Sequence, residues 1–300
     1  MSVRNSVIAY GGWERALQLT NGQIELVVTL EVGPRIIRFG FPGDVNEFVE
    51  YPEDMGQKGE SHWRPYGGHR FWYAPEDPVL TYYPDNRPVA VETTPDGAVV
   101  TQEAESNTGI QKSIRFLLAA DKAAVEVEHR LTNTGSQEWE LAPWAMSVMA
   151  PGGEALLPHP PYTPHPEGLL PNRTLTLWPY TEMDDARFTW GKRLTRVRQE
   201  SAAPRQTKIG LTVPTGWVAY HNNGHLFLKR FTHQTGATYP DFGCSAEVYT
   251  DPRMLELETL APMVRLGPGE TVTHTERWSL HRLDAAGLTE EQLRERIERL

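Results

Sequence analysis

One cysteine, Cys244, stands in 300 residues, so no internal disulfide and no cysteine-built zinc site can be assembled. That usage fits a reducing, cytoplasmic setting. Long apolar runs are also absent, since the hydrophobic stretches are short and broken by charge. Residues Met1–Arg15 lack a basic stretch leading into an apolar one with a small-residue cleavage site. Neither a signal peptide nor a membrane span is expected. Positive charge is scarce: Lys+Arg 29 against Asp+Glu 39 leaves a net charge of −10, which argues against nucleic acid and anionic membranes as partners. The densest basic stretch, Lys192, Arg193, Arg196 and Arg198, is scattered enough to be one solvated strand face.

Helix signals are nearly missing over about residues 15–280, and a different pattern fills that span. Apolar residues recur with period two in short runs punctuated by Asn-Gly, Asp-Gly, Pro-Gly and Gly-Gly, the signature of strands and hairpins. Ala16–Thr20 turns at Asn21-Gly22 into Ile24–Leu30. Pro95-Asp96-Gly97 joins Val89–Thr94 to Ala98–Glu103, and Asn222-Asn223-Gly224 joins Trp217–His221 to Leu226–Phe231. Tight turns of this kind suit antiparallel neighbours. The expectation is an all-β fold in one domain, 1–300, which is within the size that large sandwiches reach. A capping box, Thr289 with Gln292, opens a short C-terminal helix over about 289–300, with Leu293, Ile297 and Leu300 as its apolar stripe.

Pro151–Pro171 carries seven prolines and three glycines. It reads as a long rigid excursion rather than a central strand, placed at the mouth of a site or between domains.

Alternation divides each strand into two faces. In Met254–Leu260, Glu256 and Glu258 share a face, about 7 Å apart at two strand residues' rise, with Leu255 and Leu257 opposite. In Ala246–Asp251 the shared face carries Glu247, Tyr249 and Asp251. Paired carboxylates beside aromatics serve as acid, base or hydroxyl acceptor, because burial beside a second carboxylate raises one pKa. A solvated acidic strand face is the other reading. A second concentration is Glu60–Asp77, with His62, Trp63, Arg64, Tyr66, His69, Arg70, Trp72 and Tyr73 around Gly67-Gly68. Flat rings suit the C–H side of a pyranose, while His, Arg and carboxylates reach its hydroxyls. Lys229 shares a strand face with His225 and Phe227, an unusual place for an ammonium without a partner; a snorkelling surface lysine is the alternative.

Other chemistries lack support. The chain has no GxSxG elbow, no HExxH and no Gly-rich loop joining strand to helix. His159 and His165 in the proline-rich stretch are weak metal-ligand candidates, and neither a metal nor a cofactor is expected.

Gly33-Pro34-Arg35-Ile36-Ile37-Arg38-Phe39, followed by Asp44-Val45-Asn46-Glu47-Phe48, resembles the opening strands of the galactose mutarotase-like superfamily, the aldose 1-epimerase relatives. His129-Arg130-Leu131-Thr132-Asn133-Thr134-Gly135 is similar to its L-x-N-x-G strand end. Leu266-Gly267-Pro268-Gly269-Glu270 is similar to its closing L-x-P-G-E hairpin. The resemblance spans about 15–282 and implies a large twisted antiparallel β supersandwich. It also implies sugar ring opening by a histidine acid and a glutamate base. Glu247 matches the family's glutamate, with Glu258 as the second candidate. The family's histidine position falls in Ala142–Ser147, where there is none, and His69 is the replacement to consider.

These readings combine into a carbohydrate-binding protein, with sugar epimerisation by acid-base ring opening as its candidate chemistry. Its catalytic candidates are His69, Glu247 and Glu258, and its sugar-contacting candidates are Arg70, Trp72, Tyr73, Trp144, Lys229, Tyr249 and Glu256. A non-catalytic sugar-binding or sensing module and a carbohydrate lyase or uronate isomerase remain open beside it.

Overall fold

A computed structural model describes residues 3–300. Two antiparallel sheets, one of eleven strands and one of ten, face each other. The first runs from Arg4–Tyr10 through Trp13–Thr20, Glu25–Thr29, Arg35–Gly40, Gly68–Ala74, Trp139–Met149, Leu255–Leu260, Ala246–Thr250 and Thr207–Leu211 to Leu175–Leu177. The second has Thr271–Arg282 near its centre, flanked by Ala124–Asn133 and His225–Phe231. The all-β supersandwich expected from the sequence is what the chain forms.

Between the sheets lies a core to which Phe39, Phe48, Phe227 and Trp278 contribute an aromatic knot. Phe39 meets Phe227 and Trp278 edge-on at 5.4 and 5.5 Å between ring centroids. Each such ring, removed from water, contributes about 1.5–3 kcal/mol. Ile110–Leu118 shows one-sided burial, with Ile110, Ile114, Phe116 and Leu118 inward and alternate residues half-exposed. That is usual for an antiparallel strand with one wet face. By contrast, Gly68–Ala74, Thr207–Leu211 and Leu255–Leu260 are buried on both faces. Their outward face is therefore covered by something other than the second sheet, and the covered area is where a cleft forms.

The terminal helix, Glu290–Glu298, begins with the expected capping box at Thr289 and Gln292. Its Leu293 and Ile297 pack on Leu156, Leu194, Trp217 and Leu228, on the outer side of the second sheet. Leu300, expected in that stripe, is instead 47% exposed, because the helix stops before a further turn could carry it inward.

The proline-rich reading needs one correction. Glu154–Pro158 is an interior strand of the second sheet, between Leu194–Arg198 and Trp217–Asn222. Ala155, Leu156 and Leu157 supply apolar groups to both faces, and Pro158 is tolerated because it closes the strand opposite Leu194. The excursion proper follows it. Among the described residues no helix is long and apolar enough to cross a membrane.

Candidate functional site

Directly opposed residues of an antiparallel pair share a face, so strand register alone assembles the outer surface of the first sheet. One row reads Arg70, Met146, Glu258, Glu247 and Gly210 across five strands. The next reads Val148, Glu256, Tyr249 and Lys208. A third pairs Trp72 with Trp144 and Leu260. Above these rows lies a cleft of about 410 Å³, walled by Trp63, Trp72, Tyr82, Trp144, Tyr180 and Tyr249, with Tyr51, Arg70, Lys208 and Glu256 also facing it.

Arg70 lies between the rings of Trp72 and Trp63, at 4.5 and 5.5 Å from their centroids. Its Nη2 donates to Glu256 Oε1 at 2.7 Å. Burial alone would lower its pKa, but Glu256 outweighs that and raises it.

Lys208 organises the other half of the floor. Its Nζ lies 2.7 Å from Glu247 Oε2 and 3.1 Å from Glu258 Oε2. The rings of Trp144 and Trp178 flank it, each centroid 4.6 Å away. Trp144 Nε1 also donates to Glu258 Oε2 at 2.8 Å. Glu247 and Glu258 are wholly buried, and Oε1 of each has no hydrogen-bond partner. One ammonium faces two buried carboxylates. Burial, reinforced by the neighbouring carboxylates, raises both acids despite Lys208, Glu247 well above the ordinary range. Burial would lower Lys208, yet the two carboxylates hold it well above its usual value. The stable arrangement is a charged lysine, one carboxylate and one carboxylic acid, because a second uncompensated charge is costly at this depth.

Gly210 explains how Glu247 fits against its neighbouring strand. A Cβ there would meet Cys244 Sγ at 2.5 Å and Glu247 Cγ at 3.3 Å.

The structure thus brings Arg70, Trp72, Trp144, Tyr249 and Glu256 to the cleft wall, with Glu247 and Glu258 beneath Lys208. It does not bring His69, Tyr73 or Lys229 there. Each lies one residue out of phase with the outward set or on the other sheet, and a shift of one residue reverses the face. Tyr73 sits in the intersheet core, its hydroxyl donating to Glu105 Oε2 at 2.9 Å. Lys229, on the inner face of the second sheet, donates to Glu276 Oε1 and to the Leu257 carbonyl, both at 3.0 Å.

His69 is fully buried in a polar chain between the sheets. Its Nδ1 lies 2.9 Å from Ser147 Oγ, and its Nε2 lies 2.7 Å from His129 Nε2. Because His129 Nδ1 faces the His274 carbonyl at 2.9 Å, Nδ1 carries the His129 proton and Nε2 accepts. His69 therefore donates through Nε2 and accepts from Ser147 through Nδ1. Burial, with Lys229 nearby, holds His69 well below its ordinary pKa. It is a neutral interior group that does not reach the cleft. His69, His129 and Glu276 also gather possible ligand atoms within 4.8 Å of one another. Those atoms are already engaged with one another or with Ser147, Lys229, Thr259 and Trp278, which suits a closed hydrogen-bond network better than a cation. His159 is likewise engaged, its Nε2 2.8 Å from Thr195 Oγ1.

Lys208 is the charged residue that sequence reasoning missed, and Tyr51, Tyr82 and Tyr180 are the cleft rings it missed. Alternation in Thr207–Leu211 sets Lys208 and Gly210 opposite Ile209, but only the register with Tyr249 and Glu247 reveals what the lysine meets. The proline-rich excursion was expected near a site mouth. Its Tyr162, Glu167, Leu169 and Leu170 instead wall a separate hollow, while Tyr180, farther along the chain, reaches the cleft.

No protein-family model matches the chain, and no curated protein matches it either. Solved structures do. A galactose mutarotase-like protein from Lactobacillus casei is 10% identical, with a TM-score of 0.55 over 89% of this chain and 100% of that one. A protein provisionally assigned as an aldose 1-epimerase, from Klebsiella pneumoniae, is 10% identical, with a TM-score of 0.59 over 99% and 86%. A TPR-domain containing protein from Parabacteroides distasonis is 16% identical, with a TM-score of 0.59 over 92% of this chain but 48% of its own. This chain thus spans about half of that protein. The likeness establishes the galactose mutarotase-like fold, as the sequence resemblance implied.

Proposed function

We propose that the protein binds a carbohydrate in the cleft above Arg70, Trp72, Trp144 and Lys208. The observation that carries this reading is the combination of rings and fixed polar groups. Trp63, Trp72, Trp144, Tyr82, Tyr180 and Tyr249 surround a space of about 410 Å³, and Arg70, Glu256 and Lys208 stand among them. Rings cover the C–H faces of a pyranose, and the polar groups reach its hydroxyls. The buried, unpaired Cys244 supports a cytoplasmic setting. Calorimetric titration with D-glucose, D-galactose, D-mannose and their methyl glycosides tests the reading. Saturable binding that is lost in Trp144→Ala supports it, and no heat from any of these sugars sinks it.

A second reading, epimerisation, is favoured by the carboxylic acid and carboxylate held at Glu247 and Glu258. One would protonate the ring oxygen while the other accepts the anomeric hydroxyl proton, so the proton count is conserved. Both lie under Lys208 and Trp144, so this chemistry requires those two side chains to move aside. Polarimetric relaxation of fresh α-D-galactose or α-D-glucose no faster than in buffer, with binding intact, leaves the non-catalytic reading standing.

A further inference from the structure

The cations of the cleft are all matched by carboxylates. Arg70 is bound to Glu256. Lys208 is bound to Glu247 and Glu258. Arg253, at the exposed rim, pairs with Glu53 at 2.9 Å. Arg70, Lys208 and Arg253 line the space together with Glu76, Asp251 and Glu256, and the acid pair of Glu247 and Glu258, one of them ionised, lies underneath. An incoming carboxylate or phosphate therefore finds no unpaired cation, and it adds like charge to a site that already carries its own.

We infer that Glu256 is a specificity-determining residue: by occupying Arg70 it restricts the cleft to uncharged sugars and excludes uronates and sugar phosphates. This rests on the carbohydrate reading above. The geometry of Arg70 makes the residue switchable. The guanidinium is held between the rings of Trp63 and Trp72 independently of Glu256, and its Nε is buried without a partner. Removing the carboxylate leaves a positioned cation beside the ligand space, and a guanidinium forks readily onto a carboxylate or phosphate. A uronate lyase or isomerase would need such a free cation, so the pairing also disfavours that chemistry in the wild-type chain.

The test compares ligands that share a ring and differ in charge: D-glucose with D-glucuronate and D-glucose 6-phosphate, and the corresponding galactose and mannose sets. In the wild-type protein each anionic member binds at least about ten-fold more weakly than its neutral parent, the scale expected of like-charge repulsion in a partly dry site. Glu256→Gln narrows or reverses that ratio, with Glu256→Ala as the second variant and thermal melts confirming that each is folded. The inference is overturned if a uronate or phosphate matches its neutral parent in wild type, or if neither folded variant changes the ratio. Inorganic phosphate, followed by phosphorus NMR line broadening, keeps the two readings separable. If no sugar binds, the carbohydrate reading falls. Phosphate uptake by Glu256→Gln but not by wild type still upholds the charge claim, and equal behaviour of the two proteins ends it.

Discussion

The ammonium of Lys208 lies 2.7 Å from Oε2 of Glu247, on a part of the sheet where both faces are buried. Glu258 shares the same nitrogen at 3.1 Å, so the three side chains behave as one unit. Glu247→Gln keeps the shape of a protonated acid, and its expected cost is within about 1 kcal/mol because the remaining carboxylate still balances Lys208. Lys208→Met leaves two buried acids without a cation and costs about 3–5 kcal/mol at neutral pH. The sign with pH follows from the raised carboxyl groups. A carboxyl that holds its proton more tightly in the folded state weakens the fold as pH rises through the interval between its unfolded and folded pKa values. The Lys208→Met deficit, measured against wild type by urea unfolding, therefore shrinks on going from pH 8 to pH 5.5, and an equal deficit at both contradicts the shared-proton arrangement.

The interior histidines make acid the direction of weakness. Burial holds His69 well below 6.5 and His274 at about 3. Below about pH 6.5 the unfolded chain protonates these imidazoles and the folded chain does not, so their contribution to stability falls as pH falls, opposite in sign to that of the raised Glu247 and Glu258 carboxyls. Glu276 acts in the same direction at lower pH. Burial would raise it, but Lys229 outweighs burial and brings it to about 2 from 4.5, so its contribution is lost between those values. His274→Asn cannot titrate, and its stability should decline less steeply between pH 6.5 and 5, by on the order of 1–2 kcal/mol over that span. Parallel stability curves for variant and wild type would exclude His274 as a source of the slope.

The period-two strand alternation between about residues 15 and 280, the capping box at Thr289 and the side-by-side Glu256 and Glu258 were legible because each is a local pattern. Glu247, Tyr249, Trp72 and Arg70 were legible for the same reason. Lys208 was not, since its significance lies in pairing with strands far along the chain. His69, Tyr73 and Lys229 show the complementary failure. Polar and aromatic groups crowd both faces of Gly68–Ala74, so composition cannot say which face looks to the cleft; that is decided by the register with Trp139–Met149. Glu154–Pro158 was hidden by the prolines that flank it, although its three apolar residues are an ordinary buried strand.

Gly210 offers a test of the packing behind the acid pair. Its missing side chain is what allows Cys244 Sγ and the Glu247 stem to close over the strand Thr207–Leu211. Gly210→Ala introduces a methyl 2.5 Å from a buried sulfur that also contacts the Asp241 carbonyl at 3.0 Å, so it cannot simply rotate away. Overpacking of this kind costs about 1–3 kcal/mol. The expected result is a lowered urea midpoint with an unchanged denaturant slope. An unaltered midpoint would mean that the strand edge yields freely and that the glycine is not required.

Substitutions in the aromatic wall separate packing from recognition. Trp144 both lines the cleft and donates Nε1–H to Glu258, whereas Trp72 lines it and carries Arg70 over its ring. Trp144→Phe keeps a ring for a sugar to stack on but leaves Glu258 Oε2 with Lys208 alone. Its expected signature is a stability loss of about 1–3 kcal/mol with sugar affinity lowered only modestly. Trp72→Ala removes a stacking surface and the support of the guanidinium, and affinity should fall by about ten-fold or more. Calorimetric titration and urea unfolding on the same two proteins read both quantities. If Trp72→Ala binds sugar as wild type does, the ligand does not rest on this wall. If Trp144→Phe is as stable as wild type, the indole hydrogen bond does not help hold the acid pair in place.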